Sequence, residues 1–322
     1  MSKELSVSFT RDAHIKHLTT LLKELPKQYS PYSHDILTVT YFIVCGLDML
    51  KALESAPFTK KQIIEWVYSH QLPSSSKYSG FLGGSLLPFS NLNSACHLAS
   101  TYTALCLLTI CGDDLSRVDK RLAASLKDYQ NPITGCFCSL PITWREAEED
   151  TRFLYCAFCI AALLNDWSGI DKTKALKYLK SCQNYEGGYG WLEFSESHSG
   201  ITYCAVSSLG LMGELDCFEN KKEIIEFALN RYDGGWNGRI GKIDDTCYSY
   251  WNGATLECLG MSIEKTLGSA HTEEFLYSCQ REVGGFAKFL FSEHPDILHT
   301  FYSLATLSFF TYHLLLNIGI LI

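Results

Sequence analysis

The sequence lacks a long run of lysine or arginine, and its formal net charge is −8. Proteins that bind the phosphate backbone of nucleic acids need clustered cations, so this lack argues against nucleic acid as the main partner. Residues 1–10 also lack the apolar segment of a secretory signal, and we therefore expect a cytoplasmic protein. Charged residues are few, 19% against 47% hydrophobic residues, which predicts a sizeable core and argues against disorder.

Zinc-finger spacing is missing as well, although the chain contains 14 cysteines. No two CxxC pairs are placed as a zinc finger requires. Because we expect no secretory signal, we expect these residues to be free thiols, small buried side chains or ligands of a metal ion.

Glycine followed by an aromatic residue recurs about every fifty residues. The recurring segments are Gly135-Cys136-Phe137, Gly187-Gly188-Tyr189, Gly234-Gly235-Trp236 and Gly284-Gly285-Phe286, with a weaker copy at Gly83-Gly84-Ser85. An apolar segment that opens with threonine and an aromatic residue follows each of them, and an amphipathic segment precedes the next. Residues 98–110 are apolar nearly all round, whereas residues 221–232 place their apolar side chains on one helical face.

This alternation predicts an all-α protein with two concentric layers, in which five or six helical hairpins close into an α/α barrel, or toroid. We expect one domain over residues 1–322, with the repeats within about 80–307. A propeller of similar period is the alternative, but the segments are too long for blade strands and lack their alternation. Turns with positive φ at helix ends explain most of the glycines.

The end of the chain is unusual, because residues 304–322 are almost wholly apolar. A last buried helix, with residues 308–322 as an atypical terminus, is one interpretation. A membrane tail anchor is the other, since the length approaches that of a membrane span. No cationic flank supports the anchor.

Chemically active side chains are densest in residues 239–251. Asp245 stands just before an apolar run, where aspartate favours the N-cap of a helix. At such a helix start, Asp245 and Cys247 can chelate one ion, and a carboxylate with a thiolate suits Zn²⁺ if a third ligand joins them. The candidates for that ligand are His198, His271, His294 and His299. The alternative is a plain cap at Asp245 and a core thiol at Cys247.

Two cations, Arg239 and Lys242, lie on the loop before that helix. A solvated loop face is one interpretation. An anion site at the helix N-terminus is the other, because the helix dipole and free N–H groups favour negative charge there. With a tyrosine and His198, which begins another repeat's apolar segment, these cations would form a diphosphate clamp.

Three motifs are specific enough to indicate a family. They are Gly-Arg-x-x-Lys-x-x-Asp-x-Cys-Tyr-Ser-x-Trp at residues 238–251, Glu-Ser-His at 196–198 and Pro-Asp-x-Leu-His at 295–299. With them, the chain resembles the β subunits of protein prenyltransferases over about residues 9–307. Type I geranylgeranyltransferase character shows at residues 46–50, 112–118, 253–256 and 284–288.

The resemblance implies a role for each matching residue. Asp245, Cys247 and His299 are implied as zinc ligands, and His198, Arg239, Lys242 and Tyr248 as diphosphate-binding groups, with Tyr248 also placed in the catalytic set. Lys288 stands where farnesyltransferases carry a magnesium-binding aspartate, which implies zinc without a magnesium requirement. Arg152 and Tyr155 are implied near the peptide and lipid, Trp251 and Tyr102 as walls of the lipid pocket, and Thr38 as the small residue that makes room for a fourth isoprene unit.

The implied activity is that of the catalytic β subunit of a heterodimeric geranylgeranyltransferase, with one Zn²⁺ per β subunit. Such an enzyme needs an α subunit and transfers the lipid of geranylgeranyl diphosphate to the cysteine thiol of C-terminal CaaX motifs, X typically leucine, in proteins such as small GTPases. The alternatives are a catalytically impaired barrel that only binds, and a Rab-type or farnesyl-type β subunit. A terpene cyclase is disfavoured, because no DDxxD or DxDD acid motif is present.

Overall fold

The computed structural model describes residues 8–84, 96–143, 147–215 and 220–311, with backbone alone for Leu267, Ser269 and Thr311. Regular structure in these residues is helical, and the β-type pairing consists of isolated bridges between turns. The helices are α1 Arg11–Lys23, α2 Ile36–Met49, α3 Lys60–Tyr68, α4 Leu98–Ile110, α5 Leu122–Ser125, α6 Thr151–Leu163, α7 Lys172–Cys182, α8 Ser199–Met212, α9 Lys221–Leu229, α10 Thr246–Cys258, α11 Ile263–Leu267, α12 Ser269–Cys279 and α13 Ile297–Thr311. Short 3₁₀ turns cover Lys27–Asp35, Leu53–Ser55 and Leu126–Asp128.

Buried and half-buried helices alternate along the chain, as the sequence predicts. In α8, all residues from Ser199 to Leu209 are buried. In α7, the buried residues are Ala175, Tyr178, Leu179 and Cys182, which lie on one face, and lysines occupy much of the rest. A helix buried all round is surrounded by other elements, whereas an amphipathic helix packs on one face only. The prediction of an all-α protein is confirmed.

The described residues fall into two compact units. Unit 1 draws on the described residues within 1–25, 42–57 and 228–322, and unit 2 on the described residues within 26–41 and 58–227. In unit 1, α10 packs along α13, and α11 and α12 contact both of them. In unit 2, α6 packs between α4 and α8, while α3 contacts α4 and α7 contacts α8.

The glycine marks form the turns that lead from a half-buried helix to the next buried one. Gly187 shows why glycine is needed: its φ is +90°, and a Cβ there would lie 2.2 Å from the carbonyl oxygen of Glu223. Gly135, Gly234 and Gly284 also have positive φ, at 84°, 80° and 86°. The prediction of positive-φ turns at helix ends is therefore confirmed.

The apolar C-terminal segment is only partly described. Its first part belongs to α13, in which Leu304, Ala305 and Leu307 are buried. Residues 312–322 lie outside the described residues, and so does most of the atypical terminus. Among the described residues, no helix combines the length and apolarity that crossing a membrane requires.

Candidate metal centre and surrounding residues

Asp245 caps the buried helix α10. Its backbone is extended, with φ −146° and ψ 133°, and its Oδ1 accepts a hydrogen bond of 3.0 Å from the backbone N–H of Cys247. The next residue fixes this helix start to a neighbouring loop, because the N–H of Thr246 donates to the carbonyl oxygen of Lys288 at 2.9 Å. The carboxylate is therefore held by backbone geometry on the loop side of α10.

Three side chains meet at this cap. The ligand atoms of Asp245, Cys247 and His299 all lie within 4.8 Å of one another, with the first two residues buried and His299 half-buried. His299 comes from the first turn of α13, which packs along α10. Its Nε2 lies 3.2 Å from Oδ1 of Asp245. We call these three residues the metal group.

Asp296 orients the imidazole of the metal group. Its Oδ2 lies 2.6 Å from Nδ1 of His299, and its Oδ1 accepts the backbone N–H of His299 at 2.9 Å. The other nitrogen, Nε2, therefore faces Asp245, which is the tautomer arrangement of many metal-binding histidines. No role was predicted for Asp296, although its position before a helix and three residues ahead of a histidine is a usable signal.

The pKa values in the metal group follow from burial and from these contacts. Burial lowers the pKa of His299, but hydrogen bonds to Asp245 and Asp296 outweigh it and raise the pKa to about 9. Burial and the neighbouring Asp245 raise the pKa of the Cys247 thiol well above its usual value. Burial opposes ionisation of Asp245, yet His299 and the Cys247 N–H hold its pKa below the usual range.

This donor set fits a metal ion such as zinc. One carboxylate, one thiol and one imidazole are a ligand combination of tetrahedral zinc sites, and three protein ligands leave the fourth position open. A divalent cation would replace the protons that the thiol and the imidazole otherwise hold. The two interpretations left open for Asp245 and Cys247 are compatible, since Asp245 is a helix cap and Cys247 is buried. Of the four candidate histidines, the group contains His299.

A half-exposed cation lies beside the metal group. The ammonium nitrogen of Lys288 lies 3.6 Å from Oδ2 of Asp245, and its side chain is 50% exposed. Arg239 and Lys242 stand on the loop before α10, half-buried and exposed respectively. All three cations therefore belong to unit 1, on the two loops that lead into α10 and α13.

Tyr248 packs its ring against the backbone of the loop that carries Arg239. A Cβ on Gly238 would lie 2.2 Å from Cζ of that ring, so glycine is required for this approach. Burial and the adjacent Cys247 and Asp245 raise the pKa of Tyr248 to about 12, while Arg239 opposes the shift. The phenol is therefore a hydrogen-bond donor at neutral pH.

Trp251 joins an aromatic cluster in unit 1. Its ring lies 4.4 Å from that of Tyr302 and 5.4 Å from that of Tyr250, measured between centroids. Phe42, from α2, continues the cluster with its ring 6.0 Å from Tyr302. This cluster is aromatic, and aromatic side chains are common in sites that bind apolar ligands.

The remaining predicted residues belong to unit 2. His198 is the N-cap of α8: its Nδ1 accepts the N–H of Gly200 at 3.1 Å, and its ring lies 5.4 Å from that of Trp191. Arg152 pairs with Asp150, with Nη2 2.7 Å from Oδ2, and its guanidinium lies 4.4 Å from the centre of the Trp191 ring.

Tyrosines from successive buried helices form a row in unit 2. The hydroxyl of Tyr155 lies 3.5 Å from that of Tyr102 and 3.5 Å from that of Tyr203. Tyr41 extends the row, with its ring 6.2 Å from that of Tyr102. Thr38, one turn before Tyr41 on α2, donates from Oγ1 to Asp35 at 2.8 Å and is half-buried.

Comparison with known proteins identifies the family. The model of the prenyltransferase alpha-alpha toroid domain matches residues 9–319. The chain is 36% identical to the geranylgeranyl transferase type-1 subunit beta of Arabidopsis thaliana, over 94% of this chain and 85% of the relative. It is also 36% identical to the subunit of the same name from Dictyostelium discoideum, over 89% of this chain and 87% of the relative. The chain belongs to the prenyltransferase family.

The resemblance to type I β subunits that the sequence predicts is confirmed by these two relatives. A solved structure of Candida albicans protein geranylgeranyltransferase-I complexed with GGPP superposes with a TM-score of 0.82, over 94% of this chain and 92% of that chain. Its sequence identity is 24%, so it supports the fold, and the prediction of an α/α toroid is confirmed.

Proposed function

We propose that this chain is the catalytic β subunit of a protein geranylgeranyltransferase of type I. In this function a thioether bond forms between a substrate cysteine sulfur and C1 of the geranylgeranyl group, while the bond from C1 to diphosphate breaks. The acceptor is the cysteine of a C-terminal CaaX motif, with X typically leucine. The metal group, with a lysine 3.6 Å from its carboxylate, is the observation that carries the proposal.

Asp245, Cys247 and His299 would hold one Zn²⁺, which keeps a bound thiol deprotonated near neutral pH and so supplies a nucleophile. Asp296 keeps Nδ1 of His299 engaged, which leaves Nε2 as the nitrogen available for the ion. The α10 cap keeps the carboxylate of Asp245 in place through the Cys247 N–H. Three residues from two packed helices are thus positioned before any substrate arrives.

The cations of unit 1 serve the leaving diphosphate. Arg239, Lys242 and Lys288 supply positive charge, and Tyr248 donates a hydrogen bond, where negative charge develops on the leaving oxygen. Lys288 takes the place of a magnesium ion, so the reaction requires zinc alone. The role in diphosphate binding for His198, which stands in unit 2, stays a prediction.

Aromatic side chains serve the isoprenoid. In unit 1, Trp251 and its neighbours offer an apolar wall, and in unit 2 Tyr102 and Tyr155 belong to the row of tyrosines. Thr38 is small and half-buried, which suits the longer geranylgeranyl chain. Arg152, whose guanidinium lies 4.4 Å from the centre of the Trp191 ring, and Tyr155 are assigned to contacts near the peptide and lipid.

The proposal includes partners and a compartment. A β subunit acts with a prenyltransferase α subunit, and the substrates are geranylgeranyl diphosphate and CaaX-terminated proteins such as small GTPases. The cytoplasm is the compartment in which those proteins are made, and the thiols of this chain would stay reduced there.

Co-expression with a prenyltransferase α subunit tests the proposal. We expect a stable heterodimer with one zinc, and transfer of radiolabelled geranylgeranyl to a peptide that ends in Cys-a-a-Leu. Added millimolar magnesium should not raise turnover once zinc is saturating. A heterodimer with zinc but no transfer would indicate a binding-only subunit, and a stimulation by magnesium would contradict the role of Lys288.

A further inference from the structure

One arginine in unit 1 makes an unusual number of bonds to backbone carbonyls. The guanidinium of Arg281, just after α12, donates to Ser292 from Nε at 3.2 Å and from Nη2 at 2.5 Å. Nη2 also reaches the carbonyls of Phe289 at 3.4 Å and Leu290 at 3.1 Å. Nη1 reaches those of Ser278 at 3.3 Å and Gln280 at 3.1 Å.

These bonds join the end of α12 to the turn at residues 289–292, which we call the Phe289 turn. The N–H of Ser292 donates to the carbonyl of Phe289 at 3.0 Å, so the turn is closed by its own backbone as well. Leu290 and Phe291 are exposed, at 51% and 85%, so burial of these two side chains contributes little to holding the turn. The planar guanidinium, with donors at fixed angles, therefore supplies much of its order.

The Phe289 turn directly follows Lys288. On the other side of Lys288, the Thr246 N–H holds the Lys288 carbonyl at 2.9 Å, and the Thr246 hydroxyl donates to Ala287 at 3.1 Å. The backbone at Lys288 is thus fixed from two sides, by Thr246 and by Arg281. The Lys288 side chain is half exposed and can adopt many rotamers. Its contact with Asp245 therefore depends on the position of the Lys288 backbone.

The repeat at Gly187-Gly188-Tyr189, two repeats earlier in the chain, shows what a weaker fastening looks like. There Asn184 occupies the corresponding place, and its Nδ2 donates to the carbonyl of Ser195 at 2.8 Å and to the Ser197 hydroxyl at 2.9 Å. Trp191, the counterpart of Lys288, is held by its own ring contacts with Arg152 and His198. Lys288 has no ring with which to make such contacts, so its position depends on the stronger fastening of its backbone.

We propose that Arg281 is a positioning residue that keeps the Lys288 ammonium beside the metal group by fastening the Phe289 turn. The inference rests on the proposed function, because Lys288 is taken to act on the leaving diphosphate. Arg281 itself touches backbone carbonyls and acts only through Lys288.

A double-variant comparison in the full heterodimer tests this. We expect Arg281→Asn, which copies the fastening at position 184, and Lys288→Ala each to lower kcat by about tenfold. The double variant should be no slower than Lys288→Ala alone, because Arg281 has nothing left to position. Zinc content and the KM for peptide should stay unchanged. Independent losses that multiply in the double variant, or an unchanged kcat in Arg281→Asn, would overturn the proposal.

Hydrogen exchange supplies a readout that does not depend on turnover. Amides of residues 289–293 should exchange faster in Arg281→Asn and unchanged in Lys288→Ala. Arg117→Asn is the matched control, because that guanidinium pairs with Glu65 at 2.6 Å, and neither kcat nor this exchange should change. Unchanged exchange in Arg281→Asn would contradict the proposal whatever the activity.

If Arg281→Asn does not assemble, Arg281→Lys keeps the charge and stem but loses the planar fork, and it takes the same place in the comparison. If the unaltered heterodimer transfers no lipid, the proposed function fails first, before any variant is compared.

Discussion

The starts of α6 and α10 are built alike and hold different chemistry. Each begins with an aspartate cap, Asp150 or Asp245, whose Oδ1 accepts the N–H two residues on, at 2.8 Å and 3.0 Å. Each continues with a threonine whose N–H donates to a neighbouring loop, Thr151 to Trp191 at 3.3 Å and Thr246 to Lys288 at 2.9 Å. The scaffold of the metal group therefore also occurs in unit 2.

The side chains decide what each scaffold does. At α6, Arg152 follows the cap and neutralises Asp150 with a pair of 2.7 Å. At α10, Cys247 stands in that place, so Asp245 is left for the imidazole of His299 at 3.2 Å. A buried carboxylate needs a partner; an arginine two residues on supplies it internally, whereas a thiol and a histidine leave room for an ion. A metal site thus arises from few replacements on a repeated frame.

Removal of the thiol should have the largest effect on this contrast. We expect Cys247→Ala to lose zinc and transfer together, because two ligands alone do not hold zinc in a tetrahedral site. Metal analysis of the purified heterodimer measures this. Cys258→Ala, on the same helix, is the matched control and should keep one zinc. Full zinc content in Cys247→Ala would show that the ligands are misassigned.

Neutralising Asp296 should lower the affinity of the metal group for zinc without removing a ligand. Asn keeps the cap oxygen for the His299 N–H, but the imidazole loses its anionic partner at Nδ1. We expect Asp296→Asn to bind zinc about 10- to 100-fold more weakly, as measured by competition with a chelator.

Asp150→Asn in unit 2 is the control for that change. It removes the same charge from the α6 cap, which holds no metal group, and should leave zinc affinity unaltered. Equal weakening by both variants would mean that Asp296 acts through general stability.

The glycine turns before α8 in unit 2 and before α13 in unit 1 differ in their sensitivity to pH. In unit 2, Gly188 packs against the ring of Phe227, which does not titrate. In unit 1, the Gly285 N–H donates to Nδ1 of His14 at 2.8 Å, and Nε2 of His14 lies 2.8 Å from the Gln280 oxygen. Burial lowers the pKa of His14 to about 4, with His17 adding to the shift and Gln280 opposing it.

Because the pKa of His14 is lower in the folded state than in the unfolded chain, the folded state has its full stability above about pH 6.5. That stability decreases as the pH falls toward 4, because the unfolded chain binds a proton that the folded state does not. Because His14 stays neutral in the folded state, the free energy of unfolding should be lower by about 2 kcal/mol at pH 5 than at pH 7. Urea unfolding at both pH values should show this loss, and His14→Gln should show less of it. An equal pH dependence in the variant would exclude His14 as the cause.

The parts of this structure that depend on neighbouring residues could be predicted from the sequence. The parts that depend on tertiary contacts could not. The bounds of α4, the cap at Asp245 and the positive-φ turns follow from helical periodicity and capping chemistry, which neighbouring residues determine. The choice of His299 among four histidines depends on the packing of α10 along α13. Arg281 was missed because backbone carbonyls, its partners, leave no mark in a sequence.

The smallest effect is expected from giving α6 the thiol of α10. Arg152→Cys creates an Asp-x-Cys cap in unit 2, but α8 carries Ile201 three residues after its cap residue, where α13 carries His299. We therefore expect one zinc per heterodimer, as before, and a loss of about 1 kcal/mol of unfolding free energy, because Asp150 loses its guanidinium partner. Arg152→Ala should show the same loss without a thiol. A second zinc in Arg152→Cys would mean that the carboxylate and thiol suffice, and that the histidine of α13 does not make the difference between the two sites.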